Sequence, residues 1–187
     1  MGSTQPALDK ITLRRDVRRD LDSLDPAWAA RASHAALAWL APEIAHGTVL
    51  AYAPLRGEVQ LDPVLVALAT EGRLVLPRVE AGALRLHRVD RLDGLRRGAM
   101  GIREPTPEHP GVAPGDIDTV IVPGLAFGRD GSRLGRGGGY YDQLLPTLRA
   151  RRVALCFARQ VLQSVPTEPH DERVVVIVTE EGRWAVG

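Results

Sequence analysis

The chain has 187 residues, a length at which one domain buries roughly 70% of its unfolded surface, so a single core suffices. A formal charge of +1 and only 4% aromatic residues exclude the basic footprint and stacking platforms of a general nucleic-acid binder and point to a small-molecule partner. No run of about 18 apolar residues is present to span a bilayer, and the arginine-bearing N-terminus lacks the apolar stretch of a signal peptide, so the expectation is a cytoplasmic protein, by default a monomer.

In chain order, Leu13, Val17, Leu21 and Leu24 recur at helical spacing, with Arg14, Arg15, Asp16, Arg18, Arg19 and Asp20 between them. This predicts an amphipathic first helix whose arginines, Arg14 excepted, form a solvated face. Lys10 is the single lysine of a chain that otherwise uses arginine. It marks either a place that needs a compact ammonium or an accident at a frayed terminus. Asp25-Pro26 and Asp62-Pro63 each read as an N-cap followed by proline, starting helices that run to about Leu40 and Thr70, with Gly72 at the second exit. Apolar runs at 48–53, 74–76, 119–122, 153–157 and 174–178 are continuous rather than alternating, as in strands covered on both faces. Their alternation with helices predicts an α/β domain with a mainly parallel sheet and layered helices.

The stretch 84–89 alternates instead and reads as an edge strand or hairpin arm. From Gly94 to Asp118 the density of glycine and proline predicts a loop wrapped over the domain. Cys156 stands in an apolar run and reads as core. His34, His46, His87 and His109 lack metal-ligand spacing and read as surface or packing residues, while Trp28 and Trp39 are expected to pack their helices and Trp184 the C-terminal tail.

The segment that carries chemistry runs from the apolar strand at 120–122 through Gly128 to Asp142. Gly135, Gly137, Gly138 and Gly139 leave backbone N–H groups open to an anion, Arg133 and Arg136 add guanidinium forks suited to phosphate, and a helix is expected from about Tyr140, limited by Pro146. Asp142 offers a hard oxygen ligand for a nucleotide-bound Mg²⁺. Tyr140 and Tyr141 serve equally well as core anchors or as flat partners for a heterocycle. The spacing matches neither the P-loop nor the dinucleotide fingerprint. On these residues alone, a phosphosubstrate enzyme of another class on a similar fold, such as a sugar-phosphate isomerase or coenzyme A transferase, and a non-catalytic sensor of a phosphorylated ligand or folate-binding protein all stay open.

The string from Pro123 to Asp142 resembles the signature of the 5-formyltetrahydrofolate cyclo-ligase family, and the likeness extends through most of the chain: Lys10-x-x-Leu13-Arg14, Ala51 to Val59, Leu74 to Arg78, Gly101 to Pro105, and Val165-Pro166 with His170-Asp171. The resemblance implies a three-layer α/β/α single domain over 1–187 and an ATP- and Mg²⁺-dependent ring closure of 5-formyltetrahydrofolate to 5,10-methenyltetrahydrofolate through a phosphorylated formyl intermediate. It further implies that Lys10, Arg14, Arg133, Leu134, Gly135, Arg136, Gly137, Gly138, Gly139, Tyr140 and Tyr141 hold ATP, with Lys10 and Arg136 the catalytic cations. Ala53, Glu58 and the stretch Arg136 to Tyr140 would touch the folate, and Asp142 and Asp171 would serve Mg²⁺. Two positions depart from the family pattern: Gly138, where some members carry lysine, and Gln60, where a small or acidic residue often follows the Glu-Val pair.

Overall fold

A computed structural model describes residues 9–98, 101–168 and 171–186. The first helix, α1 (Lys10–Asp22), is capped by the Asp9 carboxylate, and α2 (Pro26–Leu40) by Asp25, which accepts from the Trp28 N–H. Strand β1 (Val49–Leu50) leads through a long loop to α3 (Asp62–Thr70), then the hairpin β2 (Leu74–Glu80) and β3 (Ala83–Arg88). There follow β4 (Arg96–Arg97), β5 (Arg103–Glu104), β6 (Thr119–Val122), β7 (Ala126–Gly128) and β8 (Arg133–Leu134). The order closes with α4 (Tyr140–Leu144), β9 (Arg151–Leu155), β10 (Val161–Leu162), β11 (Val176–Thr179) and β12 (Gly182–Ala185).

Seven strands form one sheet in the order β12-β11-β9-β6-β1-β2-β3. The five inner strands are mutually parallel, and β12 and β3 close the two edges antiparallel. Side chains on these strands alternate between faces. Val49, Ile121, Val153, Val176 and Val178 pack on one side with Leu13, Leu40 and Leu65 from α1, α2 and α3. Leu50, Val120, Val122, Ala154 and Ile177 face the other side, against Leu144, Leu145 and Leu148. Continuous apolar runs therefore arise because both faces are covered, which gives the three-layer α/β/α arrangement expected from the sequence.

Several details differ from expectation. Asp62 is not an N-cap: α3 starts with no side-chain capping bond, and the Asp62 carboxylate instead pairs with Arg103. Gly72 takes the left-handed conformation (φ +69°) that ends α3. The stretch 94–118 is not structureless, because β4 pairs antiparallel with β5 and Gly111 bridges to His87. Trp28 packs against Phe157 with ring centroids 5.1 Å apart, but Trp39 is 47% exposed and packs little. His87 is buried and donates from Nδ1 to the His109 carbonyl, while His34 and His46 are exposed. Cys156 is buried, and burial pushes its thiol well above the usual range.

Candidate active site

Beyond the C-terminal ends of the inner strands lies a cavity of about 850 Å³. It is bordered by α1, the loop after β1, the β2–β3 hairpin, β5, the segment from Arg133 to Gln143 and the chain around Glu168 and Asp171. Every residue singled out by the sequence as a site candidate borders it: Lys10, Arg14, Ala53, Glu58, Arg133 to Asp142, and Asp171. His170 lies outside the described residues.

Several charged groups of this cavity are held by one another. Lys10 donates to Asp171 at 3.0 Å and lies 3.3 Å from Glu168, so the first helix is tied to a segment more than 150 residues away. Arg136 donates to Glu58 Oε1 from Nε at 3.0 Å and from Nη2 at 2.6 Å, and Glu58 Oε2 accepts from the Leu55 N–H at 2.8 Å. Arg133 is a buried guanidinium paired with Asp142, and it also donates to the Pro123 carbonyl at 3.4 Å. The two groups read as a phosphate fork and an open metal ligand thus face each other, because a buried cation needs a close anion to offset lost hydration.

The glycine loop owes its path to backbone freedom at two positions, Gly137 (φ +101°) and Gly139 (φ +69°), where a side chain would be strained. It is pinned by α1: Arg14 Nε donates to the Gly135 carbonyl at 2.9 Å and Arg18 Nη2 to the Arg136 carbonyl at 2.7 Å. The sequence pattern alone places Arg18 on a solvated face. The signal that finds it is spacing, since Lys10, Arg14 and Arg18 recur every four residues and share one side of the helix. Gln60, the departure from the family pattern, steadies the neighbouring loop by donating to the Glu58 carbonyl at 3.0 Å while its own N–H bonds to Ser33 Oγ.

Pro77, Val79, Leu84 and Ile102 give the β2, β3 and β5 side of the cavity an apolar surface, and Glu104 is the acidic group set in it. Pro77, Ile102 and Glu104 fall in stretches that resemble the family, but nothing in the sequence joins them with Val79 and Leu84 into one surface. The Tyr141 hydroxyl is buried with no hydrogen-bond partner among the described residues, and burial pushes its phenol above the ordinary range against the pull of Arg133. Tyr52, also bordering the cavity, is raised by burial too.

Comparison with known proteins bears on what binds here. The model of the 5-formyltetrahydrofolate cyclo-ligase family matches residues 7–180. A 5-formyltetrahydrofolate cyclo-ligase of Mycolicibacterium smegmatis is 31% identical over 180 residues, covering 91% of this chain and 93% of its own length. One from Saccharomyces cerevisiae is 30% identical, covering 92% of this chain and 96% of its own. The solution structure of Aquifex aeolicus 5,10-methenyltetrahydrofolate synthetase superimposes with a TM-score of 0.87 at 36% identity, over 95% of this chain and 92% of that one.

Proposed function

Because the chain belongs to the 5-formyltetrahydrofolate cyclo-ligase family, we propose that it closes 5-formyltetrahydrofolate to 5,10-methenyltetrahydrofolate with conversion of ATP to ADP and phosphate. The observation that supports this reading most directly is the gathering of Lys10, Arg14, Glu58, the loop 133–141, Asp142 and Asp171 around one cavity of about 850 Å³. The same reading takes 1–187 as one cyclo-ligase domain working in the cytoplasm. Among the described residues no helix is long and apolar enough to cross a membrane.

In the proposed reaction the formyl oxygen attacks the γ-phosphorus of ATP, the bond to the ADP oxygen breaks, and the formyl carbon becomes activated. N10 then attacks that carbon, loses its proton, and the phosphate departs with the former formyl oxygen. The protein's part is positioning and charge stabilisation. Lys10 and Arg14 on α1 would meet the phosphates from one side. The amides from Gly135 to Gly139 and the Arg136 guanidinium would meet them from the other. Ala53 and Glu58 would border the folate, with Glu58 fixing the direction of the Arg136 fork.

The donor set also fits Mg²⁺. Six cationic and five acidic side chains border the cavity among the described residues, so it has almost no surplus positive charge for a triphosphate. Asp142 and Asp171, with side chains 33% and 14% exposed, would hold the ion, since Mg²⁺ takes one or two carboxylates beside substrate phosphates. No cluster of three metal-ligating side chains occurs among the described residues, and an ion shared with a nucleotide does not require one. When bound, Mg²⁺ supplies the charge that neutralises the phosphate oxygens.

The reading is tested by incubating purified protein with 5-formyltetrahydrofolate, Mg²⁺ and ATP and following the near-ultraviolet absorbance of the methenyl product. Product should form only with ATP, and Lys10→Ala and Arg136→Ala should each lower the rate by about 10²- to 10³-fold. Absence of product from folded protein that binds ATP would overturn the assignment.

A further inference from the structure

Two carboxylates reach the cavity from the strand-loop side, and their surroundings differ. Both oxygens of Glu58 are occupied by the chain's own donors, Arg136 on one and the Leu55 N–H on the other. Glu104, at the end of the short β5, is only 4% exposed and borders the cavity on the same side as Pro77, Val79, Leu84 and Ile102. The polar influences on it within the chain are the Val79 N–H and the charge of Arg78. That guanidinium is itself committed to Glu80 at 3.1 Å and to the Pro105 carbonyl at 2.9 Å. A carboxyl group so placed is costly unless something supplies donors to it.

The surroundings hold Glu104 in place. The β4–β5 turn closes with the Gly98 N–H on the Ile102 carbonyl at 2.9 Å, and Arg103 pairs with Asp62 on α3. Gly98 makes room for the carboxyl group, because a Cβ there would lie 2.0 Å from Glu104 Oε2. The structure thus offers two acceptor oxygens side by side in an apolar wall.

Of the ligand groups that the proposed reaction brings in, phosphates and the glutamate tail are anionic and would be repelled by this carboxylate. The adenine edge sets one N–H donor beside an acceptor nitrogen, which leaves one carboxylate oxygen facing a lone pair. The pterin ring sets a ring N–H beside an exocyclic amino group, two donors that a carboxylate accepts in parallel. Resting on the cyclo-ligase reading, we infer that Glu104 grips the pterin edge of the folate through these two donors, while Glu58 acts as the positioning residue for Arg136. Burial raises the Glu104 carboxyl against the pull of Val79 and Arg78, and donors arriving with the ligand would favour its ionised form.

Equilibrium binding of 5-formyltetrahydrofolate and of ATP, each alone, tests the assignment. Glu104→Gln keeps the shape and replaces one acceptor by a donor. The Kd for 5-formyltetrahydrofolate should rise by about tenfold to a hundredfold, and that for ATP by less than about twofold. Gly98→Ala, which displaces the carboxyl group and leaves its charge, should weaken folate binding in the same direction. On the wild-type protein, an analogue of the folate lacking the 2-amino group should bind about as weakly as the parent binds Glu104→Gln, and the variant should not distinguish the two. Equal wild-type affinity for parent and analogue overturns the inference even if neither variant folds, and so does an equal loss of both ligands in a folded Glu104→Gln. A wild-type protein that binds ATP but no 5-formyltetrahydrofolate overturns the cyclo-ligase reading, and this inference with it.

Discussion

Glu43 follows α2 in a single 3-10 turn, buried, with one carboxylate oxygen bonded to Arg151 Nε at 2.8 Å and the other to Arg183. Burial pushes its carboxyl up, but the hydrogen bonds from Arg151 and Arg183 outweigh burial and hold it below the ordinary carboxylate range. A carboxyl depressed in the folded state adds stability that is complete above its unfolded pKa, about 4.3, and is lost as pH falls through the lower folded value. Glu43→Gln should therefore be less stable than wild type by about 1–2 kcal/mol at neutral pH, and urea unfolding should show the two converging in acid. At this scale the sequence was only partly legible. Composition left two readings of Lys10, and only the fold seats its ammonium against Asp171. The pairing of Arg133 with Asp142 was hidden because the same two residue types suit a phosphate and a metal equally well.

Among the elements, the β2–β3 hairpin shows what a turn asks of its residues. Ala81 and Gly82 connect the strands as a two-residue loop, with φ of +47° and +81°, and Glu80 pairs with Ala83. Both positions need the left-handed region, which Gly82 adopts freely and Ala81 adopts against its Cβ. Ala81→Asn should raise stability by about 1 kcal/mol, read as a shifted denaturation midpoint with an unchanged slope. Long or strongly patterned elements were legible: α1, α2, the five inner strands and the edge strand all lie where periodicity and capping put them. The β4–β5 ribbon was not, since two residues per strand are too few to show a period and its neighbours are rich in glycine and proline. Asp62 misled for a related reason, because the proline after it suits a first turn whether or not the carboxylate caps it.

For the molecule as a whole, the α/β layering follows from apolar runs that can be buried only between two helical layers, so fold class was within reach of the sequence. The cavity was reachable only in part. Its glycine loop, with Arg133 and Arg136, is written in one compact string, whereas its apolar side is assembled from Pro77 and Val79 on β2, Leu84 on β3 and Ile102 just before β5. The described groups around the cavity include Lys10 with Asp171, Arg133 with Asp142, Arg136 with Glu58, and Arg14 and Arg18 on backbone carbonyls. Seen from a distance the three ion pairs cancel, carbonyls leave the charge of Arg14 and Arg18 intact, and six cations against five acids around the cavity leave only a small net field to guide an anion inward. Nucleotide capture should then rely on diffusion and local exchange of partners. Stopped-flow association of ATP should change by less than about threefold between low salt and roughly 0.5 M salt, where a cavity of bare cations would slow far more. Cavities that neutralise themselves in this way give up speed of encounter and keep their arginines aligned while they wait.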